Sequence, residues 1–159
     1  MQQEEIRYYL QRAIDLSREG MRGAKGGPFG CVIVKDGVLL AEGCNRVTSD
    51  QDPTAHAEIV AIREACLKLG VFQLDGCTLF SSCEPCPMCL GAIYWARPQA
   101  VYYAGTRQDA ARAGFDDAFI YEEIGREGAD RSIPFTHVPI KGAAEVFEEW
   151  KRQEGKQPY

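Results

Sequence analysis

The chain has 159 residues, 45% hydrophobic and 26% charged, with a formal net charge of −5. That length suits one domain with a real core, and the acidic balance lacks the basic face that neutralises phosphates. No apolar run is long enough to span a bilayer, and the start, Met1-Gln2-Gln3-Glu4-Glu5, is too acidic and polar for a signal peptide, so a cytoplasmic location without a membrane partner is expected. Ile6, Leu10, Ala13, Ile14 and Leu16 fall at roughly helical spacing and predict a helix over residues 4–18, stopped by Gly20. Residues 31–34 and 38–41 flank Lys35-Asp36-Gly37 and read as a β-hairpin. Asp52-Pro53 reads as a helix start, and Gly70 ends that helix after about Leu69. Residues 78–81 form a short buried strand. The next helix begins around residues 85–87 and must end before Pro98, because the residue before a proline avoids helical geometry. A buried strand over 100–104, one or two short helices within 109–124, a last strand over 136–140 and a last helix over 144–153 complete the chain. With no repeat, low-complexity tract or linker, residues 1–159 read as a single domain, an α/β sandwich with a mixed sheet.

His56-Ala57-Glu58 and, downstream, Pro85-Cys86-Pro87-Met88-Cys89 are the residues that point to chemistry. One imidazole and two thiolates make three zinc ligands, and a zinc with three protein ligands keeps a position open for water. Glu58 lies two residues from the imidazole, near such a water without being a ligand. His-x-Glu followed by Pro-Cys-x-x-Cys is the signature of zinc deaminases; because both parts are needed it is specific, whereas Cys-x-x-Cys alone is weak. Both segments fall at predicted helix starts, where partial positive charge favours thiolates, and Cys86 and Cys89 share a helix face. One zinc per chain would lower the pKa of its water to about 7, from about 16 in bulk. The nucleophile then attacks an aromatic carbon bearing an amino group, while Glu58 carries the proton to the leaving amine, a role worth roughly 10²–10⁴-fold.

The competing reading is a closed Cys₃His structural site that adds Cys83, since Cys83, Cys86 and Cys89 are evenly spaced. Steps of three drift around a helix, so Cys83 and Cys89 would point apart, and Cys83 directly follows a strand. Glu58 by itself would read as a solvated first-turn carboxylate. The odd total of seven cysteines suits metal ligands and small buried residues rather than a disulfide framework.

Four stretches together resemble bacterial guanine deaminases of the cytidine-deaminase-like superfamily. They are Gly26-Gly27-Pro28-Phe29-Gly30, Asp52-Pro53-Thr54-Ala55-His56-Ala57-Glu58, the run Ser82-Cys83-Glu84-Pro85-Cys86-Pro87-Met88-Cys89-Leu90-Gly91-Ala92-Ile93-Tyr94-Trp95-Ala96-Arg97-Pro98, and Ala113-Gly114-Phe115-Asp116-Asp117. The resemblance covers nearly the whole chain, including Tyr159; only residues 126–131 depart in detail. The first two stretches are also close to tRNA adenosine deaminases, but Gly114-Phe115-Asp116-Asp117 and the acidic charge are not.

The resemblance implies a three-layer α/β/α sandwich with a five-stranded mixed sheet, and hydrolysis of guanine to xanthine and ammonia by attack at C2. It implies that Asn45 hydrogen-bonds the purine, an amide having both donor and acceptor; otherwise Asn45 is a turn residue ending its strand. Asp117 matches a second carboxylate for proton transfer, with Asp116 the neighbouring candidate and a loop or cap pair the plainer reading. Phe29 and Trp95 are expected to stack on or edge the base, although isolated aromatics also serve as core. Tyr159 is expected in a terminal segment that closes over the site. Homodimers exchanging C-terminal elements, about residues 140–159, are implied as well. The expected partner is a small purine base rather than a nucleic acid. Guanosine, cytosine or an aminotriazine remain alternative substrates, as does the adenosine of a tRNA.

Overall fold

The computed structural model describes every residue except Asp116. The chain divides into two compact units, Met1–Ala118 and Phe119–Tyr159. In the first, helix α1 (Gln3–Arg22) precedes the hairpin β1 (Gly30–Lys35) and β2 (Val38–Cys44). Then come α2 (Ala57–Leu69), β3 (Cys77–Cys83), α3 (Pro87–Ala96), β4 (Ala100–Gly105) and α4 (Arg107–Arg112). The strands lie in the order β2-β1-β3-β4. β1 is antiparallel to both neighbours, and β3 runs parallel to β4.

Alternation along the central strands divides the core between two faces. Cys31, Ile33, Cys77 and Leu79 pack with Ala57, Ala61 and Ala65 of α2 and Ile93 and Ala96 of α3. Val32, Val34 and Phe80 pack with Tyr9, Ala13 and Leu16 of α1. Helices therefore cover both faces, a three-layer α/β/α arrangement. The small residues on α2 let it approach closely: a Cβ on Gly43 of β2 would lie 2.4 Å from the Ala57 carbonyl. This contact presses the start of α2, with His56 and Glu58, onto the sheet.

The structure departs from the sequence reading in both helix boundaries and strand number. α1 continues through Gly20, which packs against Cys44. α2 begins at Ala57 rather than near Asp52. There the Asp52 carboxylate accepts from the Thr54 amide (2.8 Å) and hydroxyl (2.7 Å), a local turn that competes with helix nucleation. The sheet has four strands, not five: residues 136–140 form no strand. Pro134 precedes that stretch and Pro139 lies within it, and neither supplies an amide donor to a ladder.

The second unit carries helix α5, which starts at the boundary (Ala118–Ile124), a 3-10 turn (Gly128–Asp130) and helix α6 (Glu145–Arg152). Glu123 accepts from the Ser132 amide and hydroxyl, and the Arg131 guanidinium lies 4.9 Å over the Phe135 ring. None of its described residues is buried, and α6 exposes Val146, Phe147 and Trp150. Among the described residues, no helix is long and apolar enough to cross a membrane.

Candidate metal centre and its cavity

The two helix starts bring the metal donors together. His56 is the N-cap residue of α2, Cys86 is the N-cap residue of α3, and Cys89 lies in the first turn of α3. The two cap side chains turn to each other. His56 Nδ1 lies 3.5 Å from Cys86 Sγ and 3.6 Å from Cys89 Sγ. Tetrahedral zinc, with Zn–S near 2.3 Å and Zn–N near 2.0 Å, sets an N···S separation of about 3.5 Å. The donor set therefore fits zinc in spacing as well as in chemistry, with Nδ1 as the imidazole donor. These three are the residues that group as metal donors among those described.

The electrostatics match. Cys86 is drawn far below the usual thiol range, first by its polar neighbour Cys89 and then by His56. The closeness of Cys86, with burial and the nearby Glu58, pushes Cys89 upward. A bound divalent cation would favour the thiolate at both positions. Cys83 behaves differently. Its thiol donates to the Thr106 carbonyl at 3.5 Å, and burial raises its pKa to about 11. It is turned to that carbonyl and lies outside the group of His56, Cys86 and Cys89 that could hold a metal.

Glu58 occupies the first turn of α2 and is 6% exposed. Its Oε1 accepts from the Ser81 hydroxyl at 3.2 Å, and its Oε2 from the Cys89 thiol at 3.4 Å. Burial is the main cause of its raised pKa, as expected when desolvation disfavours the carboxylate. A carboxyl whose affinity for a proton is raised beside a metal group suits proton transfer.

Asn45 directly follows β2 and is buried. Its Oδ1 accepts from the amides of Gly27 (3.2 Å) and Val47 (3.1 Å). Both are backbone donors, which fixes the orientation of the amide and turns its NH₂ to any ligand. Gly26 makes this possible: a Cβ there would lie 2.2 Å from Oδ1.

Phe29, Asn45, His56, Glu58, Cys86 and Asp117 line one cavity of about 420 Å³. Phe29 meets Phe115 edge to face, with ring centroids 5.0 Å apart. Cys89 is fully buried beside His56 and Glu58. Trp95 is not among the lining residues and is 62% exposed on α3. Tyr159 is exposed in the second unit. Asp116 lies outside the described residues.

Sequence reasoning missed Ser81 and the pair Glu84–Arg107. Glu84 accepts from the Arg107 amide (3.1 Å) and Nε (3.0 Å). This ties the loop before Cys86 to the start of α4. A signal for Ser81 existed: Cys77, Leu79, Ser81 and Cys83 alternate onto one face of a buried strand, and a hydroxyl there needs a partner.

Residues 3–105 match the family model described as the cytidine and deoxycytidylate deaminase zinc-binding region. The chain belongs to this zinc-binding deaminase family. Within it, the chain is 56% identical to guanine deaminase of Bacillus subtilis (strain 168) over 151 residues, covering 95% of this chain and 97% of that one. An X-ray structure of guanine deaminase from Bacillus subtilis matches with a TM-score of 0.95 and 55% identity, covering 100% of this chain and 99% of the other. A tRNA-specific adenosine deaminase from Aquifex aeolicus is 32% identical over 145 residues, covering 90% and 91% of the two chains.

Proposed function

We propose that the protein is a zinc-dependent guanine deaminase that hydrolyses guanine to xanthine and ammonia. The observation that carries this reading is the convergence of a three-donor metal group, a buried carboxyl and an amide NH₂ on one cavity. The 56% identity to a guanine deaminase, over 95% of the chain, supports guanine as the substrate.

Zinc held by His56, Cys86 and Cys89 would supply an acidified water as nucleophile. The remaining tasks fall to this chain's own groups. Glu58 accepts the proton of the attacking water and passes it to the leaving amine. An oxygen–carbon bond forms at C2, the C2–N bond breaks, and ammonia departs. Asp117, in the same cavity, serves proton transfer at a ring nitrogen. Asn45 donates its NH₂ to an acceptor on the purine edge, because its oxygen is already held by two backbone amides. Phe29 offers a ring against the base. Trp95 is assigned to stack on or edge the base, and Tyr159 to a terminal segment that closes over the site.

The second unit exposes Phe119, Ile133, Phe135, Val138, Ile140 and Phe147, more apolar surface than an isolated chain usually leaves to water. This supports a homodimer that exchanges residues of about 140–159. The free state of all seven cysteines supports a reducing, cytoplasmic setting.

Turnover of zinc-loaded protein, followed by ultraviolet absorbance, tests the reading. Guanine should be converted to xanthine while guanosine, cytosine, adenine and an aminotriazine stay unchanged. Reaction with another member of the panel and none with guanine would overturn the substrate. Turnover of a tRNA adenosine alone would move the protein to the other branch.

A further inference from the structure

We propose that Ser81 is a positioning residue for the proton transfer: its hydroxyl holds Oε1 of Glu58 and so directs Oε2 at the metal group. The proposal rests on the reading of Glu58 as the proton carrier.

The site face of β3 changes character along its length. Cys77 and Leu79 belong to the core beneath α2 and α3, whereas Ser81 and Cys83 lie at the cavity end. Ser81 is 2% exposed, and its partner across the β1–β3 ladder, Cys31, is fully buried. A hydroxyl in such a wall must bond to protein. The Ser81 hydroxyl donates its hydrogen bond to Glu58, a residue 23 positions earlier in the chain.

A carboxylate's terminal torsion is broad and roughly two-fold. Burial of the stem does not select which oxygen faces the reaction. The Ser81 donor does, because an oxygen that accepts its hydrogen bond is disfavoured as the seat of the transferred proton. Oε2 then faces the Cys89 side, at 3.4 Å from that donor sulfur. One oxygen is anchored and the other carries the proton. Misalignment by a fraction of an ångström is costly in such transfers.

The test compares Ser81→Ala, Ser81→Cys and Ser81→Thr with the natural protein. The readouts are kcat and KM for guanine, bound zinc, Tm, and the dissociation constant for 8-azaguanine. Ser81→Ala should lower kcat about tenfold, the worth of one hydrogen bond, with KM, zinc content and 8-azaguanine affinity unchanged. Ser81→Thr keeps the hydroxyl and should restore most of kcat. Ser81→Cys keeps the volume with a weaker donor and should fall between, which preserves the test if the alanine variant folds poorly. Natural kcat in both the alanine and cysteine variants would overturn the proposal, as would a loss confined to KM, or a threonine variant as slow as alanine. Glu58→Gln is measured beside them. Inactive Glu58→Gln with fully active Ser81→Ala rejects Ser81 alone, whereas active Glu58→Gln rejects the Glu58 reading and this proposal with it.

Discussion

At the scale of single residues, neighbours of the same type have opposite chemistry because of what they touch. Cys86 and Cys89 face His56, while Cys83 faces a carbonyl and stays protonated. Glu58 would be an ordinary helix-start carboxylate in water; buried beside the metal donors it binds a proton more readily. Replacing it by Gln keeps the shape and removes the proton-carrying oxygen. Guanine turnover should fall at least about 10²-fold, with zinc content and Tm retained; an equally active variant would refute the assigned role. Asn45 makes a sharper prediction. Asn45→Asp leaves one oxygen for the Gly27 and Val47 amides but replaces the NH₂ by a second acceptor. The purine edge would then face an acceptor, and KM should rise by roughly tenfold or more, read by steady-state kinetics, with the fold intact.

At the scale of elements, close packing and one ion pair make separate predictions. Gly43 on β2 sits where a Cβ would come within 2.4 Å of the Ala57 carbonyl and 2.8 Å of the Ala61 amide. Both are backbone atoms of α2, so relief requires the helix to move. Gly43→Ala should cost about 1–3 kcal/mol by denaturant unfolding, and should weaken zinc retention because His56 begins that helix. Arg12 of α1 and Glu42 of β2 form a two-pronged pair, Nε to Oε1 at 2.6 Å and Nη2 to Oε2 at 2.9 Å. The hydrogen bond from Arg12 holds the Glu42 carboxyl below its ordinary 4.5. A depressed folded-state pKa gives stabilisation that is complete above the ordinary value and is lost as pH falls through the folded one. Arg12→Ala should therefore cost about 0.5–1 kcal/mol near neutrality, and the difference should shrink as the solution is acidified below 4.5. A gap that stayed constant across that range would show that Arg12 acts through packing instead.

At the scale of the whole molecule, the two units differ in kind. The first has a closed core on both faces of its sheet. The second holds two helices and a short turn with none of its described residues buried. The apolar side chains that this segment exposes belong to the proposed homodimer. Light scattering after size exclusion should give a dimer. Deletion of residues 155–159, which removes Tyr159, should lower guanine turnover while the dimer and zinc content persist. Unchanged turnover would remove the terminal segment from the proposed site.

Much of the fold and the metal group was legible because the relevant rules are local. Four of the five expected strands and the long helices follow from apolar periodicity and from Gly and Pro boundaries. His-x-Glu and Cys-x-x-Cys carry their chemistry in spacings of two and three residues. The fifth strand misled because an alternating stretch has the same pattern whether or not a partner strand exists, and a ladder needs one. Contacts across long sequence separations were decided only by the tertiary structure. They include the bond of the Cys83 thiol to the Thr106 carbonyl, the hold of Gly27 on the Asn45 oxygen, the Glu84–Arg107 tie and the hydroxyl of Ser81 on Glu58. The sequence by itself determined which groups could bind a metal and move a proton. The packing of α2 and α3 on the sheet decided which of them meet, because hydrogen bonds and desolvation depend on distances that no local spacing specifies.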